Sequence, residues 1–255
     1  MLVREHLHRL AKRITSTRRD TMKHRHLATC SLLTVLMTMA AATAHAEETT
    51  CVGTLPAGTY DSIVVPAAAQ CTIDHSLVTG HIRALDYSVL RVLDTTVQGN
   101  IEAHNADVVQ ALGDTISGHI HIKGGGPNPN STVIDTLLCN NVLRNGNIEV
   151  ERRIGGLVVG IGNGNPALVA QCSGLGNTLL KGDLKIEGNT ISPERAMSVT
   201  SNSVAKNMQV SRNTGSLRFK VVKNNAVDGT LRCSDNDAPF TGGPNSARRS
   251  EGQCF

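Results

Sequence analysis

Residues 78–122 read VTGHIRALDYSVLRVLDTT-VQGNIEAHNADVVQALGDT-ISGHIHI, and this stretch decides the fold because it repeats every 19 residues. The isoleucines Ile63, Ile82, Ile101 and Ile120 keep the same step with no insertion between them. An apolar pattern with one fixed period is typical of a solenoid, in which each repeat buries its face on the next.

The apolar residues within one repeat lie two apart, as in Ile101-Glu102-Ala103, and this alternation predicts β-strands. The repeat shows no helical spacing, so leucine-rich and ankyrin-type repeats fit poorly. A left-handed β-helix of hexapeptides needs about 18 residues per coil, and the observed period breaks that phase. The sequence therefore predicts an all-β fold, a right-handed parallel β-helix (solenoid) of about eight coils, the first coils having 19 residues each.

The repeat unit Val-x-Gly-x-Ile returns less regularly after Gly118, where the intervals lengthen. We expect these later coils at Gly146–Val150, Gly182–Ile186, Val204–Val210 and Val227–Cys233. Inserted loops are predicted at Gly124–Asn130 and Gly160–Pro166, which are rich in Gly, Asn and Pro. The second of these loops could equally belong to an extra, degenerate coil.

A turn position rich in Asn, Asp and Thr precedes the apolar residue of many repeats. Its members include Thr95, Asp114, Asn177, Asn202 and Asn225. Short polar side chains bond neighbouring backbone and tolerate αL geometry, so they suit sharp corners. We interpret this row as structural, with stacked Asn side chains that bond each other along the solenoid.

Residues 1–46 hold 8 of the 25 Lys and Arg but 2 of the 21 acids, so the rest of the chain has a net charge of about −2. Residues 22–46 run from a basic segment through an apolar one to Ala44-His45-Ala46, as in a signal peptide. The apolar run is too short for a membrane span. We predict residues 1–21 to be an extension or a misassigned start, and residues 47–255 to be a single β-helix domain. That mature chain would be secreted, extracellular or periplasmic, with no membrane span.

Six cysteines follow the predicted leader, and an even number in an exported chain indicates disulfides. Contacts in a solenoid are local, so we expect sequence neighbours to pair. The expected pairs are Cys51 with Cys71, Cys139 with Cys172, and Cys233 with Cys254. The outer pairs would staple the two ends, each contributing roughly 3 kcal/mol in the chain-entropy model. No C-x₂-C pair is present, which disfavours a zinc site.

A candidate surface site is formed by His81, Asn100, His119 and His121. The first three share an outward column after the repeat Gly. Coils lie about 4.8 Å apart, so His81 and His119 would be about 9.6 Å apart, too far to share a metal directly. His119 and His121 could hold a metal as a pair, but a plain surface role competes with that interpretation. We expect no metal and no cofactor.

A second outward column alternates in charge and predicts ion pairs between neighbouring coils. It runs through Arg83, Glu102, His121, Glu149, Lys185, Gln209 and Arg232. In the 19-residue register Asp86 lies over Asn105 and Asp107 over Ser88, so no column of paired carboxylates forms there. Glycoside cleavage needs two carboxyl groups at a defined separation, and we assign no catalytic residue.

Several motifs resemble a group of small exported bacterial right-handed parallel β-helix proteins: Cys51–Tyr60, Val64–Pro66, Cys71 and the tail Glu251–Cys254. The resemblance spans nearly all of residues 51–254. It implies the β-helix fold, but no established activity and hence no catalytic residues. That group has Asn after the repeat Gly, where this chain has His81, His119 and Asp183, which we interpret as a local specialisation.

Two functional classes remain. The first is an exported, non-catalytic solenoid used for adhesion, binding or structure, whose partner would be a surface polysaccharide or a protein. The alternative is a polysaccharide lyase or glycoside hydrolase acting on acidic polysaccharide, which predicts a groove of charged residues from three or more coils. The first 19-residue coils show no such groove, and the chain has no Trp and few other aromatics to stack on sugars. The slightly negative predicted domain has no basic patch with aromatics, so we expect no nucleic acid as partner.

Overall fold

The computed structural model describes residues 47–126, 134–161, 170–215 and 220–254. These residues form an all-β parallel solenoid of about nine turns. The predicted parallel β-helix is confirmed, and the expected number of about eight coils is close to the number observed. Each coil places strands on three ladders, which we name faces A, B and C. The predicted leader, residues 1–46, lies outside the described residues, as do residues 127–130 and 162–166 of the two predicted loops.

Face A carries the isoleucine column that sets the period. Its strands are Glu48–Thr50, Ser62–Val65, Ile82–Ala84, Ile101–His104, Ile120–Lys123, Ile148–Glu151, Leu184–Glu187 and Met208–Ser211, followed by the later parts of Ala226–Ser234 and Ser246–Gly252. All of its pairs are parallel, so each coil repeats the side-chain direction of the one before.

Face B follows face A in every complete coil. Its strands are Gly53–Thr54, Gln70–Asp74, Val89–Leu93, Val108–Leu112, Thr136–Cys139, Leu157–Gly160, Met197–Thr200, Lys220–Lys223 and Phe240–Gly242. Gly160 therefore ends a strand of a regular coil, whereas it was predicted to begin a loop.

Face C closes each coil with two-residue strands. They are Thr59–Tyr60, Leu77–Val78, Thr96–Val97, Thr115–Ile116, Val142–Leu143, Thr178–Leu179 and Ser203–Val204, continued by the first residues of Ala226–Ser234 and Ser246–Gly252. A further parallel pair, Thr190–Ile191 with Thr214–Gly215, lies beside the later coils.

The register on face A confirms the predicted columns. Ile63, Ile82, Ile101 and Ile120 stand on one another as direct partners. The column continues through Ile148, Leu184, Met208 and Leu231, so the coils predicted after Gly118 are present. Every member of the column from Ile63 onward is buried, which makes it the spine of the core.

The repeat glycine lies at the corner between faces C and A, where the backbones of successive coils approach closely. A Cβ built at Gly146 would overlap the carbonyl oxygen of Gly118, and one at Gly182 would overlap that of Gly146. The backbone N–H of Gly118 donates to Gly99 O at 3.1 Å in the same column. The conserved spacing of this Gly in the repeat therefore has a steric cause.

The polar row at the corner between faces B and C is buried and continuous; we name it the corner ladder. Its members are Ser76, Thr95, Asp114, Asn141, Asn177, Asn202, Asn225 and Asn245. Each side-chain oxygen accepts the backbone N–H of the member one coil earlier, as Asn202 Oδ1 does from Asn177 N at 3.1 Å. The predicted stacking of Asn at the corners is confirmed.

A second buried ladder runs along the corner between faces A and B in the later coils. It contains Arg153, Asn189, Asn213, Asn236 and Gln253, again with side-chain oxygens that accept N–H groups of the preceding coil. Arg153 begins this ladder, and its guanidinium donates to the carbonyl oxygens of Ala106, Gly124 and Asp107. Burial lowers the pKa of Arg153 to about 10, and Asp135 and Asp107 oppose that effect.

The three disulfides join the predicted sequence neighbours: Cys51–Cys71, Cys139–Cys172 and Cys233–Cys254. The first and third lie in the terminal coils, as expected. The second ties Cys172, in the segment after face B, to the outer side of that face. There it joins a small apolar cluster with Leu137, Val158 and partly buried Leu112 and Ile134, separate from the main core.

Candidate functional site

Face A presents its charged side chains outward, and two clefts lie on it. The register confirms the predicted charge column, in which Glu102 stands between Arg83 and His121, and Glu149 between His121 and Lys185. The ion pairs, however, do not follow this column. Arg83 pairs with Glu48, and Lys185 pairs with Glu151 and Glu187.

The predicted pairing between neighbours in the column is therefore wrong for Arg83 and Glu102. Long side chains on a strand lean along it, so they reach the next outward column as readily as the next coil. Lys185 shows this, because Glu187 lies two residues along its own strand and Glu151 lies one coil earlier. Glu102 instead accepts a hydrogen bond from Asn100 Nδ2 at 3.1 Å.

One cleft, which we name the Glu151–Glu187 cleft, lies where face A turns into face B. It is lined by Glu151, Arg152, Lys185, Glu187, Gly188 and Arg212, which come from three successive coils. The expectation that no groove of charged residues from three or more coils is present is therefore wrong for this part of the solenoid. Glu151 and Glu187 are partners in the register, so a column of paired carboxylates is present here.

The two carboxylates of the cleft stand in register and share one cation. Lys185 Nζ lies 2.6 Å from an oxygen of Glu151 and 2.6 Å from one of Glu187, and Arg212 also contacts Glu187. Hydrogen bonding to Lys185 lowers the pKa of Glu151. The side chains of Glu151 and Glu187 are only 17% and 12% exposed. Because they are largely buried and share Lys185, the network is ordered before a ligand binds.

Arg152 lies beside this network, and its charge helps to lower the pKa of Glu151. Its backbone N–H donates to Glu187 O at 3.1 Å, but among the described residues its guanidinium has neither a hydrogen bond nor an ion-pair partner. The register places Arg152, Gly188 and Arg212 in one column, so the two arginines are two coils, or about 9.6 Å, apart. Gly188 between them has no side chain, and Arg152 lies alongside it. An unpaired guanidinium in a cleft can bind a carboxylate or sulfate group bidentately.

A second cleft, lined by Glu48, Ser62, His81, Arg83 and Glu102, lies near the N-terminal end of face A. Like the first cleft, it is lined by two carboxylates and a basic side chain, but only one of the carboxylates pairs with that side chain. Arg83 pairs with Glu48 there. Both of these clefts are lined mainly by charged side chains of face A or of the corner where it ends.

Three of the four predicted site residues form a side-chain ladder at the corner between faces C and A. His81 Nδ1 accepts the N–H of Asn100, Asn100 Oδ1 accepts that of His119, and His119 Nδ1 accepts that of Asn147, each at 3.0 Å. The ladder continues through Asp183 and Asn207. Each His therefore uses Nδ1 to hold the next coil and leaves Nε2 outward.

His121, the fourth predicted site residue, lies in the adjacent outward column. Its ring is 6.0 Å from that of His104, edge to face. Among the described residues, one set of three potential metal ligands lies close together, and it consists of Asp74, His75 and Asp94, not of the predicted histidines. In that set His75 Nδ1 bonds Asp74 Oδ1 at 2.6 Å, and His75 and Asp94 occupy αL turn positions.

The residues of the Glu151–Glu187 cleft were missed because inserted loops separate them by more than one 19-residue period. The signal was present in two similar strands, Ile148-Glu149-Val150-Glu151 and Leu184-Lys185-Ile186-Glu187. Aligning those strands would have placed both final glutamates in one column.

No protein-family model, curated protein or solved structure matches this chain. Within the residues that the structure describes, no helix is long and apolar enough to cross a membrane.

Proposed function

We propose that this protein is an exported, non-catalytic β-solenoid that binds an acidic polysaccharide along face A. The observation that carries the proposal is the Glu151–Glu187 cleft, where Arg152 is unpaired and Arg212 stands two coils away in the same column. A sugar chain lying along the stack would meet these cations in turn. Its carboxylate or sulfate groups would bind the guanidinium of Arg152.

The lowered pKa of the accessible carboxyl group in the cleft favours binding over cleavage. A general acid needs a raised pKa and access to the substrate. In the cleft, Lys185 lowers the pKa of Glu151. The pKa is raised by burial at Asp114 and Asp135, but both carboxyl groups are enclosed in the stack, where a polymer cannot reach them.

Export agrees with the three disulfides and with the signal-like residues 22–46. Disulfides persist in oxidising compartments and are rare in the cytosol. The resemblance to small exported bacterial β-helix proteins points the same way, and we place the protein at the cell surface or in its surroundings.

A binding experiment with two matched arginine variants tests the proposal. Polygalacturonate and a sulfated glycosaminoglycan would be titrated into the protein by calorimetry, with Arg152→Ala compared with Arg144→Ala. Arg144 is likewise exposed, but it lies beyond the face C strand Val142–Leu143. We expect Arg152→Ala to weaken binding roughly tenfold, the loss of one charge-assisted contact, and Arg144→Ala to leave it unchanged. Equal effects of the two changes, or no binding of either polymer, would refute the proposed site.

A polysaccharide lyase or glycoside hydrolase is the second candidate, favoured by one observation. Glu151 and Glu187 both contact Lys185 Nζ at 2.6 Å, so the two contacting oxygens are at most about 5 Å apart, close to the roughly 5 Å separation of the carboxyl groups in glycosidases that retain configuration. Release of unsaturated or reducing ends from pectin, alginate or glycosaminoglycan, with or without Ca²⁺, would support it. Turnover that is abolished by Glu151→Gln, Glu149→Gln or Asp183→Asn would establish the enzyme in place of the binding protein.

A further inference from the structure

Asp114 is the one member of the corner ladder that can carry a negative charge. It is 0% exposed, and its Oδ1 accepts the backbone N–H of Thr95 at 2.8 Å. Its own N–H donates to Asn141 Oδ1 at 3.0 Å. The second carboxyl oxygen, Oδ2, is buried and has no hydrogen-bond partner among the described residues.

The asparagines of the ladder show that the position of Oδ2 suits a hydrogen-bond donor. Asn141 Nδ2 donates both to Ala111 O at 2.8 Å and to Asn177 Oδ1 at 2.9 Å. Because Ala111 pairs with Val92 one coil earlier, the matching acceptors for Asp114 are Val92 O and Asn141 Oδ1. An ionised Oδ2 would face the lone pairs of both acceptors, whereas a protonated Oδ2 would donate its single hydrogen to one of them, where the amide of an Asn donates to both.

The charges around Asp114 act in the same direction. Burial raises the pKa of Asp114 to about 8, opposed by the N–H of Thr95 and reinforced by the carboxylates of Asp94 and Asp74. The ring of His75 is hydrogen-bonded to Asp74 at the same corner. No Lys or Arg is paired with Asp114 among the described residues, so nothing there compensates a negative charge.

We propose that Asp114 is a proton-dependent lock in the coil stack: with a hydrogen on Oδ2 the side chain adds a donor bond to the corner ladder, and when the carboxyl ionises that bond is lost and a buried negative charge faces acceptor oxygens. The folded protein then binds one more proton than the unfolded chain between about pH 4 and about pH 8. The contribution of Asp114 to stability is therefore greatest in acid, falls as the pH rises through that window and is constant above it.

Urea unfolding of the native protein and of Asp114→Asn at several pH values tests the lock. The contributions of the other titrating groups to the free energy of unfolding are the same in both proteins, so they cancel in the difference. Asp114→Asn would donate to the same two acceptors at every pH. We expect the two proteins to be alike near pH 4.5. By pH 8 the unfolding constant of the native protein should exceed that of Asp114→Asn by roughly 100-fold or more, since the slope approaches tenfold per pH unit. Asp228→Asn, which removes an exposed carboxylate, should show no such divergence.

Carbon-13 NMR of aspartate-labelled protein gives a second readout. It reports the protonation state of Asp114 in the native protein directly and does not depend on a difference in stability between variants. The Asp114 carboxyl carbon, assigned by its absence in Asp114→Asn, should still report the neutral form at pH 6. An ionised Asp114 at pH 6 would overturn the proposal. So would an Asp114→Asn variant that is less stable than the native protein at pH 8, or a difference that stays constant with pH.

Discussion

Single polar residues at the corners of this solenoid have the same role, which is to accept a hydrogen bond from the backbone of an adjacent coil. Asn177 accepts the N–H of Asn141 in the buried corner ladder, and His119 Nδ1 accepts that of Asn147 on the outer corner. Different side chains provide the same acceptor, because a corner leaves one backbone N–H without a strand partner. Polar residues in the repeat therefore stabilise it, and only those left over, such as Arg152, remain for binding.

The orientation of each side chain can be tested within one coil. Ile101 is fully buried in the face A column, whereas Gln98 is exposed on face C. Ile101→Asp should lower the free energy of unfolding by several kcal/mol, because it buries an unpaired charge, and Gln98→Asp should change it by about 0.5 kcal/mol or less. Chemical denaturation of both variants measures the difference. Similar losses in the two proteins would mean that the faces are assigned wrongly.

The sequence predicts the columns well and the contacts between outward side chains poorly. Strict spacing places Ile82 on Ile101 and Asp86 beside Asn105, whose Nδ2 donates to it at 3.1 Å. The spacing of the repeat could not predict the ion pairs. Lys185 has several carboxylates within reach, and the rotamer of its long side chain decides which of them it contacts. The pairing of Glu151 with Glu187 was hidden by the inserted residues between their strands.

At the scale of an element, each coil is held to the next by its strands and by close backbone contact at the glycine corner. The N–H of Gly99 donates to Gly80 O at 2.9 Å, and that of Gly229 to Lys206 O at 2.8 Å. Insertions after Gly118 lengthen the coils without changing this contact. Loops at other positions are therefore tolerated, while the corner keeps its geometry.

Replacing the repeat glycine should disturb two coils at once. Gly146→Ala places a methyl group against the carbonyl of Gly118, so the coils must separate, and we expect a loss of about 2 kcal/mol or more. Gly58→Ala is the control, since its nearest neighbours are atoms of the Tyr60 ring at 3.6 and 3.7 Å, an ordinary contact. Thermal unfolding of the two variants provides the comparison. A stable Gly146→Ala protein would show that the corner is not tightly packed.

At the scale of the whole solenoid, the three faces differ in what they offer to a partner. Face A is charged and carries both clefts. The outer side of face B is partly covered by the segment tied down through Cys139–Cys172. Face C presents small uncharged residues on several coils, such as Thr96, Thr115 and Ser203. A long polyanion would thus find its cations along face A.

The most direct test of this account is a crystal structure of the protein soaked with an acidic oligosaccharide long enough to span three coils. We predict an intact sugar chain along face A, with an anionic group against Arg152 and the Lys185 network unchanged. A sugar bound to another face would contradict the proposed site. A cleaved product in the Glu151–Glu187 cleft would contradict the non-catalytic role.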